Sequence, residues 1–207
     1  MYGTAGASDY ASAHANINKS TILNNLENWY TNNLKDYADK IADTVWCNDK
    51  TNVTDTSYNP WSYGGNATGL GYGTNKTYYG ATQRLVSTSG SAGGTGPSLK
   101  CNGELSKITS KVGLITADEL AFAGYAYGKN NTTIYLQENA TDTYWWSLSP
   151  FDFNGSGAGV WFVSGSSGSF NSNYVGITRG VRTSISLISS TTISGGSGTS
   201  EDPYIIE

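Results

Sequence analysis

Apolar residues recur at steps of three and four between positions 20 and 41, and this spacing predicts an amphipathic helix. Ser20 stands at its start, where a hydroxyl can cap the first turn. Such a stripe must face a core, so we interpret it as structural. Its members are Ile22, Leu23, Leu26, Trp29, Tyr30, Leu34, Tyr37 and Ile41.

The residues on either side of this helix are mostly small and polar, and many of them favour turns. Residues 1–19 lack an apolar pattern, so we expect a loosely ordered arm followed by a single domain over residues 20–207. Residues 48–80 carry many glycines, asparagines and tyrosines, which predicts long loops with one short strand. We predict a short strand over residues 83–87 and a flexible loop over residues 88–98.

A second helix is predicted by its capping residues. Residues 111–115 read as a short buried strand, and Thr116 and Glu119 then have the spacing of a capping box. The predicted helix, residues 117–123, ends at Gly124, which can adopt the left-handed conformation of a C-cap.

The second half of the chain alternates apolar and polar positions in short runs. We predict strands over residues 144–148, 159–163, 181–187 and 204–206, with Pro150 ending the first. Two helices, short antiparallel strands and long loops together indicate an α+β domain.

Side-chain alternation assigns the aromatic residues of these strands to opposite faces of a sheet. Trp145 and Trp146 are adjacent, so we expect one in the core and the other partly exposed. On the next strand, one face carries Trp161 and Val163, and the other carries Val160 and Phe162.

Composition and charge argue against a nucleic-acid-binding protein and against a membrane span. The net charge is −4, whereas a nucleic-acid-binding surface is basic, so we expect no nucleic-acid partner. No apolar run reaches the roughly 20 residues of a membrane span, and the N-terminus lacks the pattern of a signal peptide. Charged residues make up only 14% of the chain. This polar, lysine-poor composition favours an extracellular location, and we expect the chain to be part of a longer protein.

Two cysteines, Cys47 and Cys101, leave two readings open. In an exported domain they can form a disulfide, worth about 2–4 kcal/mol, or they can be separate buried thiols. Their spacing does not indicate zinc. Residues 47–49 and 141–143 offer oxygen ligands, but no loop has a spaced calcium motif, so we assign no metal and no cofactor.

The stretch from Tyr144 to Arg182 has the composition of a recognition surface. Its 39 positions hold nine aromatic residues, seven glycines and eight serines, and its only charged residues are Asp152, Arg179 and Arg182. Aromatic side chains supply contact area at low entropic cost, while serine, glycine and asparagine supply adaptable polar contacts. Catalysis needs titratable groups, which are few here.

Core filling is the competing explanation for these aromatics. It does not explain Phe170 and Tyr174, which flank Asn-Ser-Asn, so we predict that both lie at exposed loop tips. We expect Arg182 to be structural, with a carboxylate or carbonyl partner, and Arg179 to be exposed for a ligand.

Several motifs, in order along residues 17–206, resemble one family. They are ENWYTNNL, WCND, GLGYGTNKTYYGATQRLV, VGLITADELAFAG, WWSLSP, GVRTSISL and GTSEDPYII. The chain is similar to domains with a C-type-lectin-like fold, in the formylglycine-generating-enzyme-like branch that includes the variable proteins of diversity-generating retroelements. The family usually has proline where this chain has Thr183.

The resemblance implies a non-enzymatic ligand-binding domain on a bacterial surface, pilus or phage virion, with an adhesin or receptor-binding role toward a protein or glycan on a target surface. In that family, adenine-directed mutagenesis rewrites a C-terminal patch, mostly at Asn codons. Trp161 does not arise from an Asn codon, so it is either scaffold or an ordinary substitution. The predicted ligand-binding residues are Phe151, Asp152, Phe153, Asn154, Ser156, Trp161, Phe162, Ser164, Phe170, Asn171, Ser172, Asn173, Tyr174, Ile177, Thr178 and Arg179.

Enzymatic alternatives compete with this interpretation. A formylglycine-generating-type oxidase shares the fold but uses paired cysteines near the active groove to hold copper, and no cysteine follows Cys101 here. Carboxylate pairs for hydrolysis exist at residues 118–119 and 201–202, but a helix start and a turn explain them. The single histidine, His14, lies in the expected arm, so we expect no catalytic triad.

Overall fold

The structure is a computed structural model that describes residues 2–4, 6–61, 71, 75–138, 140–141, 143–199 and 201–207. In these residues the fold is mixed α/β, and the sheets are almost entirely antiparallel. The α-helices are α1 Tyr10–His14, α2 Thr21–Asn33, α3 Gly80–Leu85, α4 Ala117–Phe122 and α5 Tyr135–Glu138. The strands are β1 Thr44–Cys47, β2 Thr77–Tyr78, β3 Lys107–Ser110, β4 Trp145–Phe153, β5 Ala158–Val163, β6 Phe170–Tyr174, β7 Gly180–Val181, β8 Ile193–Gly195 and β9 Ile205–Ile206.

The largest sheet has five strands and curls into a half-barrel. Its antiparallel order is β2-β4-β5-β6, and β7 runs parallel to the first residues of β4. Two smaller antiparallel sheets pair β1 with β3 and β8 with β9. Strand β4 is thus the long central strand, and β6 lies at one edge.

The two faces of the β4–β5 pair belong to different cores. Trp145, Trp161 and Val163 point into one core, which α3 and α4 also line. Trp146 and Phe162 point into the other, beside Leu26 of α2. The predicted alternation is confirmed, but the expectation that one of the adjacent tryptophans is partly exposed is wrong. Both are 4% exposed because helices or loops cover each face.

Helix α2 begins as predicted and ends earlier. The Leu23 amide donates to Ser20 Oγ at 3.2 Å, which confirms Ser20 as the N-cap. The helix ends at Asn33, and a short 3-10 turn follows over Lys35–Tyr37. Trp29 and Tyr37 are exposed, so only part of the predicted stripe faces the core.

Helix α4 forms as its capping residues predict. The Glu119 amide donates to Thr116 Oγ1 at 3.1 Å, and the Thr116 amide donates to Glu119 Oε2 at 2.8 Å. Gly124 follows the helix with a φ of 109°, a conformation that side chains disfavour. This unit is encoded by neighbouring residues, which is why sequence alone located it.

A buried ion cluster joins three segments. The Arg84 guanidinium of α3 contacts Asp118 of α4 through Nε and Oδ1 at 2.7 Å, and Asp49 through Nη1 and Oδ2 at 2.7 Å. The predicted strand over residues 83–87 is wrong, because residues 80–85 are helical. Burial of Ala81, Thr82 and Leu85 on one side, with these ion pairs, favours the helix over local strand preference.

Of the two readings for the cysteines, the structure has the disulfide. Cys47 at the end of β1 is bonded to Cys101, 54 positions later, with 5.6 Å between their Cα atoms. The bridge holds the β1–β3 sheet to the loop before β3.

Three further details of the predicted strands differ from the structure, because strands form only where a neighbouring segment supplies hydrogen-bonding partners. Residues 111–115 do not form a strand: Gly113 makes an isolated bridge with Ser184, and the Ile115 carbonyl accepts from the Leu148 amide of β4. Beyond Val181 the predicted last strand continues only as single bridges to separate segments. Pro150 lies inside β4 at an irregularity in the register, where its missing N–H is tolerated.

The N-terminal arm packs on the domain, contrary to the expectation of a loose segment. His14 at the end of α1 is buried, and the Asn16 side-chain amide donates to the carbonyls of Leu105 and Lys107. Tyr2 and Asn18 form a bridge that closes the arm on itself. Among the described residues, no helix has the length and apolar character needed to cross a bilayer.

We expect Thr116→Ala to lower the free energy of unfolding by about 1 kcal/mol, because the Glu119 amide loses its acceptor. Chemical denaturation measures the change. Thr54→Ala is the matched control at an exposed position outside any helix, and it should change stability by less than about 0.5 kcal/mol. Equal stabilities for the two variants would contradict a capping role.

Candidate functional site

Six of the predicted ligand-binding residues are buried, so their assignment to an accessible recognition surface is wrong. Each is 8% exposed or less. The cause is that each face of the β4–β5 pair packs against other segments, so alternation does not leave one whole face exposed. The buried residues are Phe151, Asp152, Trp161, Phe162, Ser164 and Phe170.

Phe170 is the clearest correction, because it is completely buried instead of lying at a loop tip. Its ring stacks on Trp161 with centroids 4.5 Å apart, and Trp161 contacts Phe151 edge-on at 4.9 Å. Phe170 begins β6 and pairs with Val163. These rings fill the first core, as the competing explanation held.

The other predicted residues stay accessible at the edge of the same sheet. Ser156, Tyr174, Ile177 and Thr178 are exposed. Six more are half-buried, namely Phe153, Asn154, Asn171, Ser172, Asn173 and Arg179. We define the edge surface as Tyr144, Asn154, Ser156 and residues 171–179.

Hydrogen bonds hold the separate parts of the edge surface together. Asn154 Nδ2 donates to Tyr174 Oη at 2.8 Å, which ties the β4–β5 turn to the end of β6. Asn154 Oδ1 accepts from the amides of Ser156 and Gly157, which closes that turn. The Gly180 amide donates to the Tyr144 carbonyl at 2.8 Å, so the segment after β6 returns to the start of β4.

Arg179 lies over a platform of aromatic rings. Its guanidinium carbon is 4.2 Å from the Phe162 ring centroid, 4.3 Å from that of Tyr144 and 5.3 Å from that of Trp146. Cation–π attraction fixes the side chain without a carboxylate. No described residue forms an ion pair with Arg179 or accepts from its Nε. Burial lowers the pKa of Arg179, but a guanidinium remains charged at neutral pH.

Asparagine side chains occupy the outer edge of β6. The backbone amide and carbonyl of Phe170 form hydrogen bonds with residues 128–129, on the side of β6 that faces away from β5. By alternation, the amides of Ser172 and Tyr174 also point away from β5. The Ser172 amide donates to Asn171 Oδ1, and the Tyr174 amide donates to Asn173 Oδ1, both at 2.8 Å. These local bonds satisfy edge donors that would otherwise pair with another strand.

Arg182 is structural, as predicted. Its Nη1 donates to the Leu136 carbonyl, and its guanidinium carbon is 5.2 Å from the Trp145 ring centroid. A carbonyl partner therefore holds this side chain against the first core.

Asp152 is the one predicted residue with a strongly changed acidity. It is 5% exposed, and burial raises its pKa to about 7. A Cβ at Gly159 would lie 2.3 Å from Asp152 Oδ1, so only glycine leaves room for the carboxyl group there. Asp152 is enclosed by the sheet and is not part of the edge surface.

Three candidate catalytic or metal-binding residues have structural partners. Asp49 and Asp118 both contact Arg84, and His14 packs between Tyr10 and Tyr79. Asp142, within the candidate calcium-binding segment 141–143, lies outside the described residues. No cluster of three acidic, histidine or cysteine side chains suited to a metal occurs in the described part.

Three members of the edge surface are not among the predicted ligand-binding residues. They are Tyr144, which begins the predicted strand over residues 144–148, and Val175 and Gly176, which lie between the predicted residues Tyr174 and Ile177. Tyr144 and Val175 are exposed, at 44% and 58%. The contact between Arg179 and Tyr144 depends on β7 returning to β4, which no local pattern specifies.

Comparisons with protein families, curated proteins and solved structures found no match to this chain. The motif resemblance is therefore still a hypothesis, and the function has to be argued from the geometry of the edge surface.

We expect Phe170→Ala to lower the free energy of unfolding by about 3–5 kcal/mol, because it empties a stacked position in the first core. Tyr174→Ala, at a residue that is 50% exposed, should cost less than about 1 kcal/mol. Denaturant titration of both variants measures the contrast. Similar losses would contradict the assignment of Phe170 to the core.

We expect Asp152→Asn to stabilise the protein at neutral and alkaline pH. The folded-state pKa of about 7 exceeds an unfolded value of about 4, so the folded protein retains the proton more strongly. The contribution of Asp152 to stability therefore falls as pH rises from about 4 to 7. The melting temperature of the variant relative to the native chain should rise over that interval. A difference that does not change with pH would contradict the raised pKa.

Proposed function

We propose that this chain is a non-enzymatic ligand-binding domain that uses the edge surface for adhesion or receptor binding. We propose further that its fold is C-type-lectin-like, in the formylglycine-generating-enzyme-like branch. The curled antiparallel sheet, the short helices and the long connections support that proposal, together with the order of the sequence motifs.

The observation that carries the proposal is Arg179, which lies on its aromatic platform without an ion-pair partner among the described residues. A guanidinium held by rings keeps its outward donors oriented while no described carboxylate neutralises it. Arginine and tyrosine are enriched among residues that dominate binding energy. Tyr144, Tyr174, Val175 and Ile177 add apolar area around it, each at least 44% exposed. Exposed apolar area around a fixed charge is typical of a binding surface.

The geometry narrows the positions at which diversification is compatible with folding. Phe151, Asp152 and Phe170 fit the amino acids that an Asn codon can yield, but their burial ties them to the core. We propose that variable positions are the outward ones, namely Asn154, Ser156, Asn171, Asn173, Tyr174, Ile177, Thr178 and Arg179.

The disulfide supports an extracellular setting, because such bonds persist in oxidising compartments. We propose that the domain belongs to a longer bacterial surface, pilus or phage protein and binds a protein or glycan on a target surface. The bridged cysteines also give no support to the oxidase alternative, which needs thiol ligands for copper.

The triple variant Tyr174→Ala, Ile177→Ala, Arg179→Ala tests this proposal. We expect it to lose at least roughly tenfold in affinity for any ligand that the native domain binds, since each position is a candidate hot spot. Its melting temperature should stay close to the native value, because Tyr174 and Ile177 are exposed. A glycan array and binding to intact bacterial and animal cells measure the effect.

A matched control alters three exposed residues outside the edge surface. Leu99→Ala, Tyr135→Ala and Phe122→Ala remove similar apolar area and should leave binding unchanged. Equal binding by the native domain and the triple variant would overturn the role of the edge surface. Turnover of a bound compound would overturn the non-enzymatic proposal.

A further inference from the structure

A second candidate site lies against the face of the β4–β5 pair that carries Trp146 and Val160. A cleft of about 520 Å³ separates β4 and β5 from the start of α2 and the N-terminal arm. This volume falls within the range of small-molecule pockets, roughly 300–1,000 Å³. The cleft borders the edge surface at Val175 but is otherwise built from different residues. Its apolar walls are Ile22, Leu114, Trp146, Leu148, Pro150 and Val160.

One buried ammonium group faces this cleft. Lys50 is 6% exposed, and two of its three Nζ protons are donated to the His14 carbonyl at 2.7 Å and to Asn16 Oδ1 at 2.6 Å. No described residue accepts the third proton, and no described carboxylate lines the cleft. Burial lowers the pKa of Lys50 to about 8, so the group is still mainly charged at neutral pH. Lys50 is therefore a buried cation without a carboxylate partner among the described residues that line the cleft.

A second polar group that lines the cleft is the side-chain amide of Asn48. Asn48 is 6% exposed, yet no described residue donates to its Oδ1. Buried polar atoms nearly always have hydrogen-bond partners, and an unpaired one costs free energy. A ligand that carries a hydrogen-bond donor would satisfy this atom.

The start of α2 contributes to the same wall. Ser20, Thr21 and Ile22 line the cleft, and the helix that they begin has 13 residues. The Ser20 hydroxyl is used by the Leu23 amide, while the first two helical amides have no acceptor within the helix. Together with the helix dipole, these amides favour an anion at this end.

We propose that this cleft binds a small carboxylate that has an apolar body and a hydrogen-bond donor beside the carboxylate, as in an N-acyl amino acid. The carboxylate lies between the Lys50 ammonium and the first amides of α2. The ligand's N–H donates to Asn48 Oδ1, and its apolar side chain lies against Trp146, Leu148 and Val160. This site is independent of the proposed function, since it does not use Arg179 or Tyr174.

The test compares three probes by isothermal titration calorimetry and ligand-observed NMR. N-acetylphenylalanine has the carboxylate and the donor, its amide lacks the charge, and 3-phenylpropionate lacks the N–H donor. We expect saturable binding of the first in the millimolar range or tighter, with the other two roughly tenfold weaker, because each loses one buried polar contact.

Variants assign each contact. Lys50→Met should abolish the preference for the carboxylate over the amide, and Asn48→Leu should abolish the preference for N-acetylphenylalanine over 3-phenylpropionate. Val160→Trp fills the cleft from a half-exposed position and should remove binding of all three probes. Val45→Trp adds the same bulk at an exposed position of β1 and should leave binding unchanged.

Three results would overturn the proposal. They are no saturable binding of N-acetylphenylalanine to the native chain, equal affinity for the acid and its amide, and unchanged binding in Val160→Trp. If Lys50→Met fails to fold, two comparisons still test the proposal. One is Val160→Trp against Val45→Trp, and the other is the affinity of the native chain for the three probes. Loss of binding in the Arg179 triple variant would instead show that the probes occupy the edge surface.

Discussion

The pairing of β4 with β5, buried on both faces, is the constraint on which the rest of this structure depends. Adjacent residues of a strand point to opposite sides, so the two tryptophans of β4 enter separate cores. Helices α3 and α4 close one face and α2 closes the other. Because both faces are largely filled, most aromatic residues of the central strands stabilise the fold, and Trp146 is the one that also lines the cleft.

The polar groups that a ligand can reach therefore lie where other segments do not cover the sheet. One is the edge strand β6 with the segment that returns to β7, where Arg179 lies on rings that are themselves anchored in the sheet. The other is the cleft between the second face and the N-terminal arm, where Lys50 and Asn48 are enclosed. In both places apolar side chains surround a polar group that has hydrogen-bond donors or acceptors without a partner among the described residues.

Sequence reasoning succeeded where neighbouring residues determine the structure. The Thr116–Glu119 capping box is specified by four consecutive residues, and the alternation along β5 is specified by its own pattern. It failed where distant segments decide. Residues 80–85 are helical because they contact Asp118 and a shared core, and β6 is a strand because β5 supplies its hydrogen bonds. Phe170 and Tyr174 are similar in sequence context, yet the first begins the paired strand in the core and the second ends it in solvent.

The sequence by itself determined the α+β class, the cap of each major helix, the opposite orientation of adjacent aromatics and the carbonyl or carboxylate requirement of Arg182. Only the tertiary structure decided which aromatics are covered, because burial depends on what packs against each face and not on the strand's own pattern. It also decided that Cys47 meets Cys101, that Tyr144 meets Arg179 and that the N-terminal arm encloses Lys50. These contacts join residues far apart in the chain, so no local spacing could specify them.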